Sequence, residues 1–303
     1  MYRSQLHWQP IVVLIILALI WGANMAMVKI GARELPSLFM AGFRSVIASI
    51  CLFLWMKAKG MVIFPSKIII LHGIVVGLMF GSEFGLIYLA LEHSPASRVY
   101  IWLYTAPFFA ALGAHFFLQN DRFHVWKSLG LFLAFGGVVI LFVGGLRSYS
   151  LDHLPGDIMA LISGAVWGLT TVYIKRYLAH RTAPLQTLFY QLVFSIPLLL
   201  FFSLILEDFI LINFSPMTWF SIFYQCIIVA FLSYLAWFEL IHRYPISLLH
   251  AFSFFTPVFG VFLSGALILG EIIHPSLFAA LVLVSVGMVL VNFQPKTKSE
   301  EKP

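Results

Sequence analysis

Ser94-Pro95-Ala96-Ser97 is followed along the chain by Pro107, Asp121 and Gly137; Tyr244-Pro245-Ile246-Ser247 is followed by Pro257, Glu271 and Gly287. Pro95 and Pro245, Ser97 and Ser247, and every later pair stand 150 positions apart. One fixed offset across proline, serine, acid and glycine marks a duplicated chain. The halves are expected to be residues 1–147 and 148–303, the second ending in a short charged tail.

Around this passage the composition excludes a water-soluble domain. Of the 303 residues 61% are hydrophobic and 10% charged, against about a quarter charged in ordinary globular chains. Mean hydropathy is +0.99. Apolar runs recur through the whole length, which indicates an integral membrane protein rather than a soluble domain with one anchor. Ten segments can be marked: Pro10–Ile30, Pro36–Met56, Ile68–Leu91, Pro95–Leu118, Val125–Leu146, Gly156–Lys175, Leu185–Leu206, Pro216–Leu240, Ile246–Leu269 and Pro275–Phe293. Each spans about 30 Å as a helix, the thickness of a bilayer core. The first run lacks a basic n-region and a small-residue cleavage site, and it belongs to the repeat, so it is expected to be retained. Cys51 and Cys226 fall inside apolar runs and read as inert thiols, not a disulfide framework.

The net charge of +6 does not point to nucleic acid, because the basic residues lie in short loops between apolar runs. Thirteen of the eighteen Lys and Arg collect on one side, including Lys57, Lys59, Lys67, Arg122, Lys127, Arg176, Arg181 and Arg243. That side is expected to be cytoplasmic and to hold both termini. Five segments per copy is an odd number, so the second copy enters the bilayer upside down. The expected fold is therefore all-α: ten transmembrane helices in two inverted five-helix repeats. Such repeats place a solute site near the midplane, between halves that rock around it.

Several residues are expected at that depth. Trp21-Gly22 in the first segment is matched by Trp167-Gly168 in the sixth, and both tryptophans reach the midplane. Pro107 and Pro257 each lie about 18 Å into their segments, where proline should kink the helix as a gate and free the carbonyls of Leu103 and Ser253. Arg44 and Glu83 lie equally deep and read as partners, either a substrate-charge or proton-coupling pair or a structural ion pair. Arg44 is matched in the second copy by Gln191. Glu83 sits opposite a stripe of Gly73, Gly77, Gly81 and Gly85, so it should face a cavity if that stripe packs against a neighbour. Trp102, Tyr104, Tyr234 and Phe254 add aromatic lining, and Asn24 a hydrogen-bonding group. Trp8, Trp126 and Trp219 read as interfacial anchors. His72, His115 and His250 sit near segment ends, and Glu239 is placed to snorkel or to pair with Lys175.

Phosphate-binding, zinc-protease and paired-cysteine motifs do not occur in the sequence, so neither a catalytic residue, a metal nor a cofactor is expected. An enzyme acting on lipid would need a clustered nucleophile or metal set at one depth. A sensor would show no solute flux.

Trp21-Gly22-Ala23-Asn24, Leu35-Pro36, Phe43-Arg44, Tyr88-x-Ala90-Leu91 with Ser94-Pro95-Ala96-Ser97, Pro257-Val258-Phe259 and Leu269-Gly270-Glu271 together resemble the EamA-type family of the drug/metabolite transporter superfamily. The resemblance covers nearly the whole chain. It implies a ten-helix carrier of amino acids or other small metabolites in the bacterial inner membrane, often an exporter. It also implies a central cavity onto which Trp21, Arg44, Tyr104 and Trp167 map. Two departures stand out: Gln119-Asn120-Asp121 replaces the family's Leu-Gly-Glu in the first copy, and Glu83 is not a family feature. The expected partners are a small solute and the lipid bilayer, with proton coupling and a homo-oligomer as open options.

Overall fold

The computed structural model describes residues 6–119, 121–146, 151–208, 214–263 and 275–293. All regular structure among them is helical. The bilayer requires this, because a spanning segment must satisfy its own backbone N–H and C=O groups. Nine described helices are long and apolar enough to cross a membrane, and Ile246–Val261 is a shorter apolar one. Together they correspond to the ten segments marked in the sequence. Leu269, Gly270, Glu271 and the charged tail lie outside the described residues.

The first three spans are continuous helices: α1 (Trp8–Gly31), α2 (Ser37–Ala58) and α3 (Lys67–His93). The fourth is α4 (Ala96–Leu103) and α5 (Ala106–Phe117), and α6 (Val125–Leu146) is the fifth. A 3-10 turn at Leu151–His153 leads into α7 (Leu154–Tyr177), followed by α8 (Pro184–Leu206). The eighth comprises α9 (Pro216–Phe223), a π-helical stretch (Tyr224–Ser233) and α10 (Tyr234–Arg243). The ninth contains α11 (Ile246–Phe252) and α12 (Phe255–Val261), and α13 (Pro275–Asn292) is the tenth. Helix starts follow local chemistry. Ser66 and Ser215 cap α3 and α9 by accepting from Ile69 N and Thr218 N, while Pro184 and Pro216 open α8 and α9, where a missing N–H costs nothing.

The two buried prolines produce breaks rather than smooth kinks. Tyr104–Thr105 and Ser253–Phe254 are two-residue turns, and Pro107 and Pro257 sit in the first turn of the helix that follows each. The expectation of free carbonyls is corrected at Ser253, whose oxygen accepts from Thr256 N at 2.9 Å. Leu103 O instead packs on Gly164, where a methyl group would lie 2.7 Å from it. The irregular turns thus bond locally or lie against a neighbouring helix, as backbone at membrane depth must.

Small residues set the packing. Gly73, Gly77 and Gly81 receive Tyr190, Phe194 and Leu198 of α8, an i, i+4, i+8 series fitting into a glycine groove. Gly85, the fourth of the stripe, has nothing within 4 Å of its missing side chain. On α6 and α13, Gly130 packs on Gly287 O and Gly137 on Ala280 O. The 150-residue offset carries Gly137 onto Gly287 and Gly130 onto Ala280, so it exchanges these two contacts. Two carboxylates tie loops to helix starts at one end of the bundle. Glu207 accepts from Leu38 N and Phe39 N at 2.6 and 2.9 Å, and Glu34 from Ser215 N at 2.8 Å.

The glycine groove predicts that Gly77→Leu, forced into Phe194, destabilises the bundle by about 1–3 kcal/mol or more, whereas Gly85→Ala is near neutral. Thermal melting of the detergent-solubilised variants checks both. The Ser215 N–H holds the Glu34 carboxyl below its ordinary value. A folded-state pKa below the unfolded one contributes stability above the unfolded pKa and loses it as pH falls through the folded pKa. The melting-temperature gap between the wild type and Glu34→Gln should therefore be present at neutral pH and close on acidification.

Candidate binding cavity

The glycine after each motif tryptophan fixes a close helix crossing. A methyl group at Gly22 would lie 2.7 Å from Gly260 N and 3.0 Å from Thr256 O of α12. At Gly168 it would lie 2.7 Å from Ala110 N and 2.5 Å from Ala106 O of α5. Thr256 and Gly260 are Ala106 and Ala110 carried forward by 150, so the two crossings correspond atom for atom. The neighbouring residue on a helix points about 100° away. With Gly22 and Gly168 facing the broken spans, Trp21 and Trp167 turn into a shared cavity.

That cavity measures about 210 Å³, and residues from both halves of the chain line it. It is smaller than the roughly 300–1,000 Å³ of drug-sized sites, which suits a solute of amino-acid size better than a lipid. Trp21 Nε1 donates to Ser233 Oγ at 2.9 Å, and Ser233 in turn donates to Val229 O inside the π-helical stretch. Trp21 also packs edge-on against Tyr234 and Trp237, with ring centroids 6.3 and 5.3 Å away. Trp167 stands edge-on to Tyr104 at 6.1 Å. Each aromatic wall therefore combines residues of both halves.

Seven of the nine expected lining residues meet here: Trp21, Asn24, Arg44, Glu83, Tyr104, Trp167 and Tyr234. Trp102 and Phe254 do not. Trp102 packs beside Ala90, Val99 and Ala160, and Phe254 is fully buried against Phe108 and Phe135. Depth in a segment does not fix direction, and two residues of α-helix turn a side chain through about 200°. Pro107 and Pro257 shape the breaks behind the wall and are not lining residues.

The expected Arg44–Glu83 ion pair is corrected too. Both side chains are buried, at 2% and 7% exposure, yet no nitrogen–oxygen pair of theirs comes within 4.0 Å. The Arg44 guanidinium lies over the Phe84 ring, 4.2 Å from its centroid, and its Nε and Nη2 have no hydrogen-bond partner. Asn24 Oδ1 is buried and likewise unpartnered. Glu239 pairs with Arg243 at 2.8 Å rather than with Lys175.

Sequence reasoning left out Tyr88, Tyr100, Thr170, Thr171, Gln191, Trp237 and Thr256, all of which line the cavity. Gln191 carried a usable signal, since it occupies Arg44's place in the second copy. Thr171 brings in His250. The Thr171 hydroxyl lies 3.2 Å from Trp167 O and hydrogen-bonds with His250 Nε2 at 2.9 Å. This fixes the ring between Trp167 and Trp237.

One end of the cavity is closed by polar ties. Lys175 Nζ donates to Ile241 O and Tyr244 O at 2.5 and 3.2 Å, satisfying carbonyls at the end of α10. Asp121 accepts from Ser247 N at 2.9 Å, from the Ser247 hydroxyl, and from Lys127 Nζ at 2.8 Å. Toward this end Thr171, Ile174, Trp237, Phe238 and Ile241 are all buried. Toward the other end Val28, Ile87, Tyr88 and Leu91 are half-buried. There Asp157 holds Ser94 Oγ at 2.7 Å and the Arg98 guanidinium.

The EamA-like transporter family model matches the chain twice, over residues 8–143 and 154–293. A Salmonella typhimurium protein named a probable amino-acid metabolite efflux pump is 26% identical over 289 residues, covering 92% of this chain and 93% of that one. Its Escherichia coli namesake is 25% identical, covering 93% and 94%. The uncharacterized transporter YoaV of Bacillus subtilis is 23% identical over 92% of this chain and 95% of its own. A solved crystal structure superimposes with a TM-score of 0.78 over 91% of this chain and 94% of that one, at 18% identity, a likeness of fold alone.

The ties at the closed end predict a selective loss. Asp121→Ala leaves the buried Lys127 ammonium with the Arg122 carbonyl but no counter-charge, and should cost about 3–5 kcal/mol. Adding Lys127→Met should recover part of it. Melting temperatures of the single and double variants read this directly.

Proposed function

The chain belongs to the EamA-like transporter family, which makes it a transporter rather than an enzyme, and from that premise we propose that it exports amino acids or related small metabolites by alternating access. The residues 1–147 and 148–303 form two inverted halves that rock about the cavity. Both termini lie in the cytoplasm of a bacterial cell, and the chain sits in its inner membrane. Family motifs of the kind used for ATP are absent from the sequence, so any uphill movement draws on an ion gradient, protons being the natural driver.

One observation carries this reading: a small cavity, closed at one end, walled by Trp21 from one half and Trp167 from the other, each set by the same glycine crossing. Twofold matching of the family model, an odd number of spans per match and exchange of the glycine contacts under the offset support inversion. Loop charge supports the orientation. The name shared by the two enterobacterial relatives supports amino-acid export. In the conformation described, the closed end is the cytoplasmic one, with Lys175 and the Asp121–Ser247 tie as the seal that must open to admit a solute from inside.

Flux of a radiolabelled amino-acid panel in proteoliposomes, with and without a pH gradient, tests the proposal. At least one amino acid should move faster than in empty liposomes, and Trp21→Ala and Trp167→Ala should each slow it about tenfold or more, since each removes a buried aromatic wall. A chain that is folded by thermal melting yet moves none of the panel contradicts the carrier reading.

A further inference from the structure

Arg44 and Glu83 are the two charged side chains that reach the cavity wall among the described residues, and they carry opposite signs. A buried ionised group is costly unless it is paired and hydrogen-bonded, and inside a membrane it marks a functional site or a structural pair. A structural pair would bring guanidinium and carboxylate into contact. Here they stay apart: Arg44 rests on Phe84, the residue after Glu83, and consecutive residues diverge by about 100° around α3. Two guanidinium nitrogens, Nε and Nη2, are buried without partners. The Glu83 carboxylate has no hydrogen bond or ion pair among the described residues, although its backbone oxygen accepts from Ser163 Oγ at 3.0 Å. Neither pole is satisfied by a protein partner among the described residues.

We propose that Arg44 and Glu83 are the two ends of a zwitterion clamp: Arg44 receives the carboxylate of an α-amino acid, Glu83 its α-ammonium group, and the aromatic walls its apolar side chain. The proposal rests on the carrier reading above and specifies what that cavity selects. A guanidinium edge offers parallel N–H donors that match a carboxylate two by two, and Nε with an Nη is one such edge. Ionised opposite an ammonium, Glu83 offers acceptors only, which suits the three ammonium donors. A zwitterion satisfies both poles and adds no net charge to the bilayer interior. A monocarboxylate leaves Glu83 unpaired, and a monoamine leaves Arg44 unpaired. A site built to hold a group rejects analogues lacking it far more strongly than it rejects a changed methylene. Gln191, in Arg44's place in the second copy, carries no charge, so the charged poles belong to the first half alone and fix one orientation of the solute.

The test is binding to the purified full chain, read as a ligand-induced shift in melting temperature. Leucine, methionine and phenylalanine are each compared with the deaminated acid and the decarboxylated amine of the same carbon skeleton. In the wild type at least one amino acid should bind about tenfold or more tighter than its own acid and amine. Glu83→Gln should move the preference toward the acid, and Arg44→Gln toward the amine. If either single variant fails to fold, the wild-type ranking and the Arg44→Gln/Glu83→Gln double variant, expected to lose charge preference altogether, decide the matter. Equal binding of acid, amine and amino acid by the wild type, binding of none of them, or folded variants that keep the wild-type ranking would overturn the clamp. Tight zwitterion binding without flux in proteoliposomes would instead leave the clamp standing and remove the carrier reading.

Discussion

The contact on which the cavity depends is the crossing of α1 over α12 at Gly22, where no side chain fits against the Gly260 backbone. It brings an intact span against a broken one and turns the preceding Trp21 inward. Its counterpart at Gly168 on α5 does the same for Trp167. A bilayer gives helices no hydrophobic reason to associate, so close backbone approach at small residues must supply the attraction through dispersion and polar contacts. The glycine groove of α3 against α8 and the paired crossings of α6 and α13 apply the same solution elsewhere. Bulk is thereby excluded from the crossings and left for the cavity wall.

Polar groups follow a complementary rule. The buried charged groups outside the cavity are tied: Asp121 to Ser247 and Lys127, Asp157 to Ser94 and Arg98, Lys175 to the carbonyls that end α10. Within the cavity, Arg44 and Asn24 keep buried atoms without partners. For the charged groups, the contrast separates those that hold helices together from those held ready for something else. The π-helical stretch Tyr224–Ser233 lies beside the same wall and presents Ser233 to Trp21. Such stretches are rare, and they concentrate at functional sites.

Much of this arrangement was legible in the residues. Segment ends agree closely because apolar length and the turn-forming Pro, Ser and Gly between segments are local properties. The Trp-Gly pairs were found because they recur, 146 residues apart, and Arg44 because a charge deep inside an apolar run stands out. What escaped was azimuth. Trp102 and Tyr104 stand two residues apart, yet only Tyr104 faces the cavity. Phe254 packs against Phe108 instead of lining it. The separation of Arg44 from Glu83 was equally hidden, since equal depth on two helices says nothing of the rotation of either. Thr170, Thr171 and Tyr88 carry no signal in a single sequence, because hydroxyl side chains are common in membrane helices and bond their own backbone, as Thr170 does to Val166 O.

The proposed inversion of the two halves is tested most directly by side-specific labelling. His93 and Arg243 are exposed, stand 150 residues apart and end equivalent spans before Ser94-Pro95 and Tyr244-Pro245. With Cys51 and Cys226 replaced by alanine, single His93→Cys and Arg243→Cys variants are treated in intact cells with a membrane-impermeant thiol reagent. Inverted halves predict labelling at 93 from outside and at 243 only after the membrane is opened. Labelling of both positions from the same side would contradict the inversion.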